Sequence, residues 1–194
     1  MSVLEDGLAW LPSSFPQGFS LLFARDVEPR TLLKLMGCEE GSFEVMDRDD
    51  AEEFQQEDPE ERSVLRAGSV GPWSFAVQSW GAHILESDAL EHVSAVAETV
   101  AIVRTETVPW FVYAKDGQTL CSFDPGLPDL REGADRDVLL PHMVDSGLRV
   151  EGRDSGISPV DAMLGLAERA FGLGLPRELI VHGELLAGVA EATP

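Results

Sequence analysis

Alternation of apolar and polar positions is the clearest pattern in the first two thirds of the chain. Residues 19–25 carry Phe or Leu at every second position, and residues 73–77 repeat this period of two, as in a half-buried strand. Asp116 and Gly117 separate two β-forming runs, which predicts a two-residue hairpin turn. The other runs predicted as strands are 42–46, 63–69, 99–104, 110–115 and 119–123.

Helices are predicted mainly from capping residues. Asp47 is the expected N-cap of a helix over 49–56, and Ser158 with Pro159 opens a longer helix with an apolar stripe from Val160 to Phe171. Further helices are predicted over 31–36 before Gly37, over 89–96, and from Pro176 onward with Leu179, Leu185, Leu186 and Val189 on its apolar side.

These elements predict an α+β fold. We expect an antiparallel sheet of about five strands, helices mainly on one face, and a C-terminal helical hairpin. The expected divisions are an N-terminal extension over 1–18, a core over 19–148, a linker over 149–157 and C-terminal helices over 158–194. Those helices should dock on the core, because two short helices bury too little surface to be stable alone.

Several segments of the chain form a recognisable series. They are 19–25 with the short helix before Gly37, 64–68, 71–77, 111–117, 122–126 and the helices after Ser158. In this order they resemble an uncharacterised actinobacterial family known as a domain of unknown function. The resemblance covers most of residues 19–188 and implies an α+β fold in a cytoplasmic, bacterial setting. It brings no catalytic residues.

Acidity bears most directly on partners. The chain has 14 basic and 35 acidic residues and a formal net charge of −21. Between Glu39 and Glu61 there are twelve acidic residues and one base, Arg48. Nucleic acids and anionic membranes should therefore be repelled, and a basic protein or peptide attracted. The alternative interpretation is that the acidic surface serves solubility.

The residues predicted to bind a partner come from this acidic run and from the predicted sheet. Aromatic residues on both faces of strand 110–115 indicate either a strand covered on both sides or an exposed aromatic patch. The proposed contact residues are Glu52, Glu53, Asp58, Glu60, Trp80 and Trp110.

Catalytic and cofactor motifs are weak throughout. His83, His92, His142 and His182 show no zinc-type spacing, so no metal site is predicted. Residues 67–71 have Ala where a serine-hydrolase elbow needs its first Gly, and no phosphate loop occurs, so no cofactor is predicted.

Two acids and two cysteines have ordinary explanations. Asp124 and Asp129 could form a carboxylate pair, but a turn role is preferred for Asp124 before Pro125. Cys38 and Cys121 are far apart and in no paired motif, so free buried thiols in a cytoplasmic protein are expected, and a disulfide is the less favoured alternative. No signal peptide or membrane span is apparent.

Two functional hypotheses remain. The first is a non-enzymatic interaction protein (an adaptor, inhibitor or immunity-like factor) that binds a basic protein or peptide through its acidic surface. The second is a small-molecule binder or enzyme of a specialised bacterial biosynthetic pathway, with its pocket between the sheet and the C-terminal helices. A flat acidic face favours the first, and an apolar pocket with converging polar groups favours the second.

Overall fold

A computed structural model describes residues 6–59, 61–86, 88–107, 109–153 and 155–191, without the side chain of Glu86. Its centre is one antiparallel sheet of eight strands in the order β2-β8-β3-β4-β1-β5-β6-β7. The strands are β1 Phe19–Arg25, β2 Glu44–Met46, β3 Arg62–Val70, β4 Trp73–Gln78, β5 Thr99–Arg104, β6 Pro109–Lys115, β7 Gln118–Phe123 and β8 Leu185–Glu191.

The helices pack on both faces of this sheet. On one face the larger core cluster includes α1, α6, α7 and α8, and on the other α2, α4 and α5 cover a second cluster. The helix α3 lies on the first face, over β3 and β8. The helices are α1 Leu11–Ser14, α2 Pro29–Leu35, α3 Arg48–Gln56, α4 His83–Glu86, α5 Ala89–Ser94, α6 Leu140–Ser146, α7 Pro159–Phe171 and α8 Arg177–His182.

Three parts of the predicted architecture are wrong. The sheet has eight strands and not about five, and helices cover both of its faces because its central strands are apolar on both sides. In β1, all six residues from Phe19 to Ala24 are buried. Ala24, with Leu22, contributes to the second core cluster, whereas the expected pattern placed apolar side chains on one face only.

The predicted C-terminal helical hairpin is also wrong. Its second helix, α8, ends at His182, and β8 follows instead of a continuing helix. Gly183 stands at the C-cap, and glycine disfavours helix continuation. Leu185 and Leu186 then point to opposite faces of the sheet, into the larger and the second core cluster. Leu185, Leu186 and Val189, which the sequence pattern assigns to a helix, belong to a strand that is buried on both sides.

Several local predictions are confirmed. The strand over 19–25 has the bounds predicted, and Asp47 caps α3 by accepting a hydrogen bond from the Asp50 amide. Asp116 and Gly117 have φ values of 53° and 70°, as a type I′ turn requires. Ser158 caps α7, with Pro159 at its first position.

Segments at both ends of the predicted core contribute to the larger cluster. Leu8 and Leu11, within the expected N-terminal extension, are fully buried there, and Val150, within the expected linker, is 1% exposed. The same cluster contains Met163 and Leu166 of α7. That side of the sheet is therefore filled by side chains from across the sequence.

Candidate functional site

A groove with acidic walls runs between β2 and α3. The helix begins here because Asp47 accepts a 2.8 Å hydrogen bond from the Asp50 amide, and acids in its first turn interact favourably with the helix dipole. Ala51 and Gln55 bury its inner face. Its outer face therefore turns the acidic side chains toward solvent beside the edge strand.

The groove encloses about 250 Å³. Apolar side chains of Val45, Met46 and Phe54 line it, and Val45 is 59% exposed. Because β2 is the edge of the sheet, it has a strand neighbour, β8, on one side only. Such an edge presents backbone groups that can pair with another chain. The carboxylates that line the groove belong to Glu44, Asp50, Glu53 and Glu57.

Charge along the groove is only partly compensated. Arg62 lies 3.6 Å from a Glu57 carboxylate oxygen and 4.9 Å from the centre of the Phe54 ring. Among the described residues, the structure records no ion pair for Glu44, Asp50 or Glu53. Three carboxylates thus face solvent beside the exposed Val45 and the half-buried Phe54, an arrangement suited to a cation with an apolar part.

The inner side of α3 carries a different electrostatic feature. Arg66 of β3 is 2% exposed, and its Nη2 donates a 2.9 Å hydrogen bond to the carbonyl of Ile180 in α8. Its Nη1 has no hydrogen-bond partner among the described residues. Burial lowers the pKa of Arg66 to about 10, and the carboxylate of Glu52 opposes this. Glu52 lies 3.6 Å from Arg48.

A small cavity of about 10 Å³ connects these groups, and Glu52, Arg66 and Trp80 line it. Gln55 closes it by donating from Nε2 to the Trp80 carbonyl at 3.2 Å and by accepting from the Val64 amide at 2.9 Å. Its volume suits about one water molecule. This region therefore anchors α3 to the sheet and is too small for an organic ligand.

A larger cleft of about 390 Å³ lies on the opposite face of the sheet, between α4–α5 and the β6–β7 hairpin. Its apolar lining includes Ile84 and Val112, which are 1% and 3% exposed, and the half-buried Trp110. Asp88 and Glu91 supply carboxylates. The second hypothesis placed a pocket against the C-terminal helices, but this cleft lies on the face away from them.

The six residues predicted to bind a partner do not form one surface. Glu53 lines the β2–α3 groove, whereas Glu52 and Trp80 line the small inner cavity. Asp58 lies in the turn between α3 and β3, where its carbonyl accepts from the amides of Glu61 and Arg62.

Two of the six are further away or outside the structure's description. Trp110 belongs to β6, four strand positions from β3, which corresponds to roughly 19 Å, and it faces the opposite side of the sheet. Glu60 lies outside the described residues.

Other candidate groups have structural partners. Asp124 accepts a 2.7 Å hydrogen bond from the Gly126 amide, and Asp129 accepts from the Glu151 amide at 3.0 Å. His83 Nε2 lies 2.8 Å from the Met36 carbonyl, and with His92 it lines a cleft of about 260 Å³. Across the described ranges, no three His, Cys, Asp or Glu residues are grouped so as to hold a metal ion.

Both thiols are buried and free. Burial raises the pKa of Cys38 to about 12 and that of Cys121 to about 11. A thiol that remains protonated is a poor nucleophile. Neither cysteine therefore has the environment of a catalytic thiolate.

Most residues of the groove and the cleft carry no signal in the sequence that indicates a binding site. Val45 and Phe54 are common apolar residues, and only the folded sheet shows that β2 is an edge. Asp88 and Glu91 approach Trp110 only through the packing of α5 against β6. Arg66 did carry a signal, since it is a charged residue inside the apolar run 64–67.

A family model described as a family of unknown function (DUF6461) matches residues 1–194. The chain belongs to the DUF6461 family. No curated protein and no solved structure matches this DUF6461 chain. In the part of the chain that the structure describes, no helix has both the length and the apolar character needed to cross a membrane. Membership of this family of unknown function assigns no residue a role.

Proposed function

We propose that this protein is a non-enzymatic interaction protein that binds a basic, partly apolar segment of another protein in the groove between β2 and α3. The observation that carries the proposal is an edge strand with an exposed Val45 beside three carboxylates that have no ion pair within the described part of the chain. An adaptor, inhibitor or immunity-like factor would act in this way. The proposed setting is the cytoplasm of an actinobacterium, as the sequence resemblance implies.

The occupant we propose is an extended segment with alternating basic and apolar residues. An extended chain can add to a sheet edge through main-chain hydrogen bonds, while its side chains alternate between two faces. Basic side chains on the α3 face would then approach Glu44 and Glu53, and apolar ones on the opposite face would cover Val45, which pairs with Leu186. The net charge of −21 would favour the approach of such a segment at long range.

A synthetic peptide of alternating Lys and Val tests the proposal. Isothermal titration calorimetry should detect its binding, and replacement of its lysines by glutamates should abolish it. Affinity should fall steeply as salt rises above 0.1 M, because exposed charges are screened over about 10 Å at that concentration. Backbone amide shifts in NMR spectra should map to β2 and α3.

The decisive variant is the triple substitution Glu44→Gln, Asp50→Asn and Glu53→Gln. We expect it to weaken binding at least about tenfold, which corresponds to roughly 1.4 kcal/mol. A control triple at exposed carboxylates elsewhere removes the same charge and should bind like the wild type. An equal loss of peptide affinity in both triple variants, or amide shifts that map away from β2, would contradict specific binding in the groove. The control substitutions are Asp135→Asn, Asp145→Asn and Glu106→Gln, at residues that are exposed and outside the groove.

A second candidate function is small-molecule binding. The cleft beside Trp110 favours it, because its volume of about 390 Å³ falls in the usual range for ligand pockets. The polar and apolar groups in this cleft determine which ligands it could accept.

A further inference from the structure

The cleft between α5 and the β6–β7 hairpin combines an apolar floor with acidic walls. Ile84 and Val112 form the buried floor, and Leu85, which is 37% exposed, lies at the border. Trp110 is half-buried, so part of its indole stays accessible to a ligand. An aromatic surface of this kind binds both apolar groups and cations.

The charged groups of the cleft have a single sign. Asp88 is the N-cap residue of α5, yet its side chain makes no capping hydrogen bond. Glu91 lies one turn further along the same helix, and both side chains are exposed. The described residues that line the cleft include no Lys or Arg. Phosphates and carboxylates would therefore meet only negative charge here.

Hydroxyl groups complete the lining on the strand side. Thr119 and Ser122 of β7 line the cleft opposite α5. The Ser122 backbone is already paired with Glu132 through hydrogen bonds of 2.8 and 2.9 Å. The backbone of Ser122 is therefore fixed beside the cleft, and its hydroxyl can accept from or donate to a ligand.

From these features we infer that the cleft binds an amphipathic organic amine, with an ammonium group beside Asp88 and Glu91 and an apolar body against Trp110 and Val112. Charge-assisted hydrogen bonds to carboxylates are stronger than neutral ones, and the indole offers a large apolar surface to the body of the ligand. This inference is independent of the β2–α3 groove, which lies across the sheet and on its other face.

A matched series of probes tests the charge requirement. 2-Phenylethylamine is the cation, 2-phenylethanol its neutral analogue and 3-phenylpropionate an anion of similar size. Each is titrated into isotopically labelled full-length protein, and the four tryptophan indole signals are followed by NMR. The amine should shift the Trp110 signal and the α5 amides. Its affinity should be at least about tenfold higher than that of the alcohol, and the propionate should bind more weakly than the alcohol.

Paired variants separate the cleft from the general acidity of the protein. Asp88→Asn with Glu91→Gln should weaken amine binding about tenfold or more while leaving the Lys-Val peptide of the groove unaffected. Asp145→Asn with Glu184→Gln removes the same charge elsewhere and should have no effect. Trp110→Leu removes the aromatic surface and should weaken the amine and the alcohol by similar factors, because both place their apolar body against the indole.

Four results would overturn the inference: equal affinity for amine and alcohol, preference for the propionate, shifts that map to another surface, or no binding at millimolar amine. If the triple variant of the groove loses peptide binding and retains amine binding, the groove and the cleft are separate sites.

Discussion

Replacing the buried Arg66 by methionine should leave the free energy of unfolding within about 1 kcal/mol of the wild-type value. The guanidinium is 2% exposed and has one recorded hydrogen bond, from Nη2 to the Ile180 carbonyl at 2.9 Å. Its Nη1 has no partner among the described residues. A buried charge with incomplete pairing contributes little net stability, because its desolvation cost offsets its interactions.

Two opposing terms set the expected magnitude. Loss of the charged hydrogen bond to the Ile180 carbonyl should cost about 1.5–3 kcal/mol. Removing a buried, incompletely paired cation should return a desolvation penalty of similar or larger size. Methionine retains the apolar stem, which does much of the packing. Alanine does not, so Arg66→Ala should cost about 2–5 kcal/mol through the cavity it leaves.

Urea unfolding followed by circular dichroism measures these differences, provided that the slope with denaturant stays unchanged. Arg177→Met changes an exposed arginine at the start of α8. It controls for the change in charge and should have the urea midpoint of the wild type. A loss above about 3 kcal/mol in Arg66→Met would refute the reasoning, because it would mean that an ion pair with Glu52 or another carboxylate stabilises the fold.

Two further predictions concern the hairpin and the thiols. Gly117→Val should lower the melting temperature clearly, because Gly117 has φ +70°, where a β-branched residue is strained; an unchanged melting temperature would contradict the turn. Stability should fall as pH rises above 9.0, the ordinary thiol value, by up to about 1.4 kcal/mol per pH unit and thiol, since the folded chain keeps protons that the unfolded chain releases. Urea midpoints of Cys38→Ala and Cys121→Ala should depend less on alkaline pH, and slopes equal to the wild type would exclude the thiols as the cause.

The strands that carry a clear local signal in the sequence are predicted correctly. β1 was placed correctly because its period of two is clear, and the β6–β7 turn because Asp116 and Gly117 favour positive φ. The strand β8 was not predicted, because both of its faces are buried and alternation is then hidden. Without β8, the number of strands and their order could not be derived from local patterns.

The candidate sites likewise combine features that the sequence shows with features that only the folded chain shows. The acidic run around α3 is visible in the sequence, and its helix cap was predicted from Asp47. The run does not show which acids line a groove, because Glu52 and Glu53 are adjacent in sequence but face different cavities. Trp110 was identified as an aromatic residue of interest, whereas its acidic neighbours Asp88 and Glu91 depend on helix packing that no local pattern records.

The groove depends on the C-terminal strand. β2 pairs only with β8 within the sheet, through Glu44 to Met46 against Leu185 to Ala187. β8 in turn pairs with β3, so it links the acidic segment to the central strands. A strand of three residues has too few hydrogen bonds to hold its position alone. The acidic character of residues 39–61 therefore becomes a shaped surface only after the chain has folded to β8, which makes the C-terminal strand part of the proposed binding site although it contributes no charge to the groove.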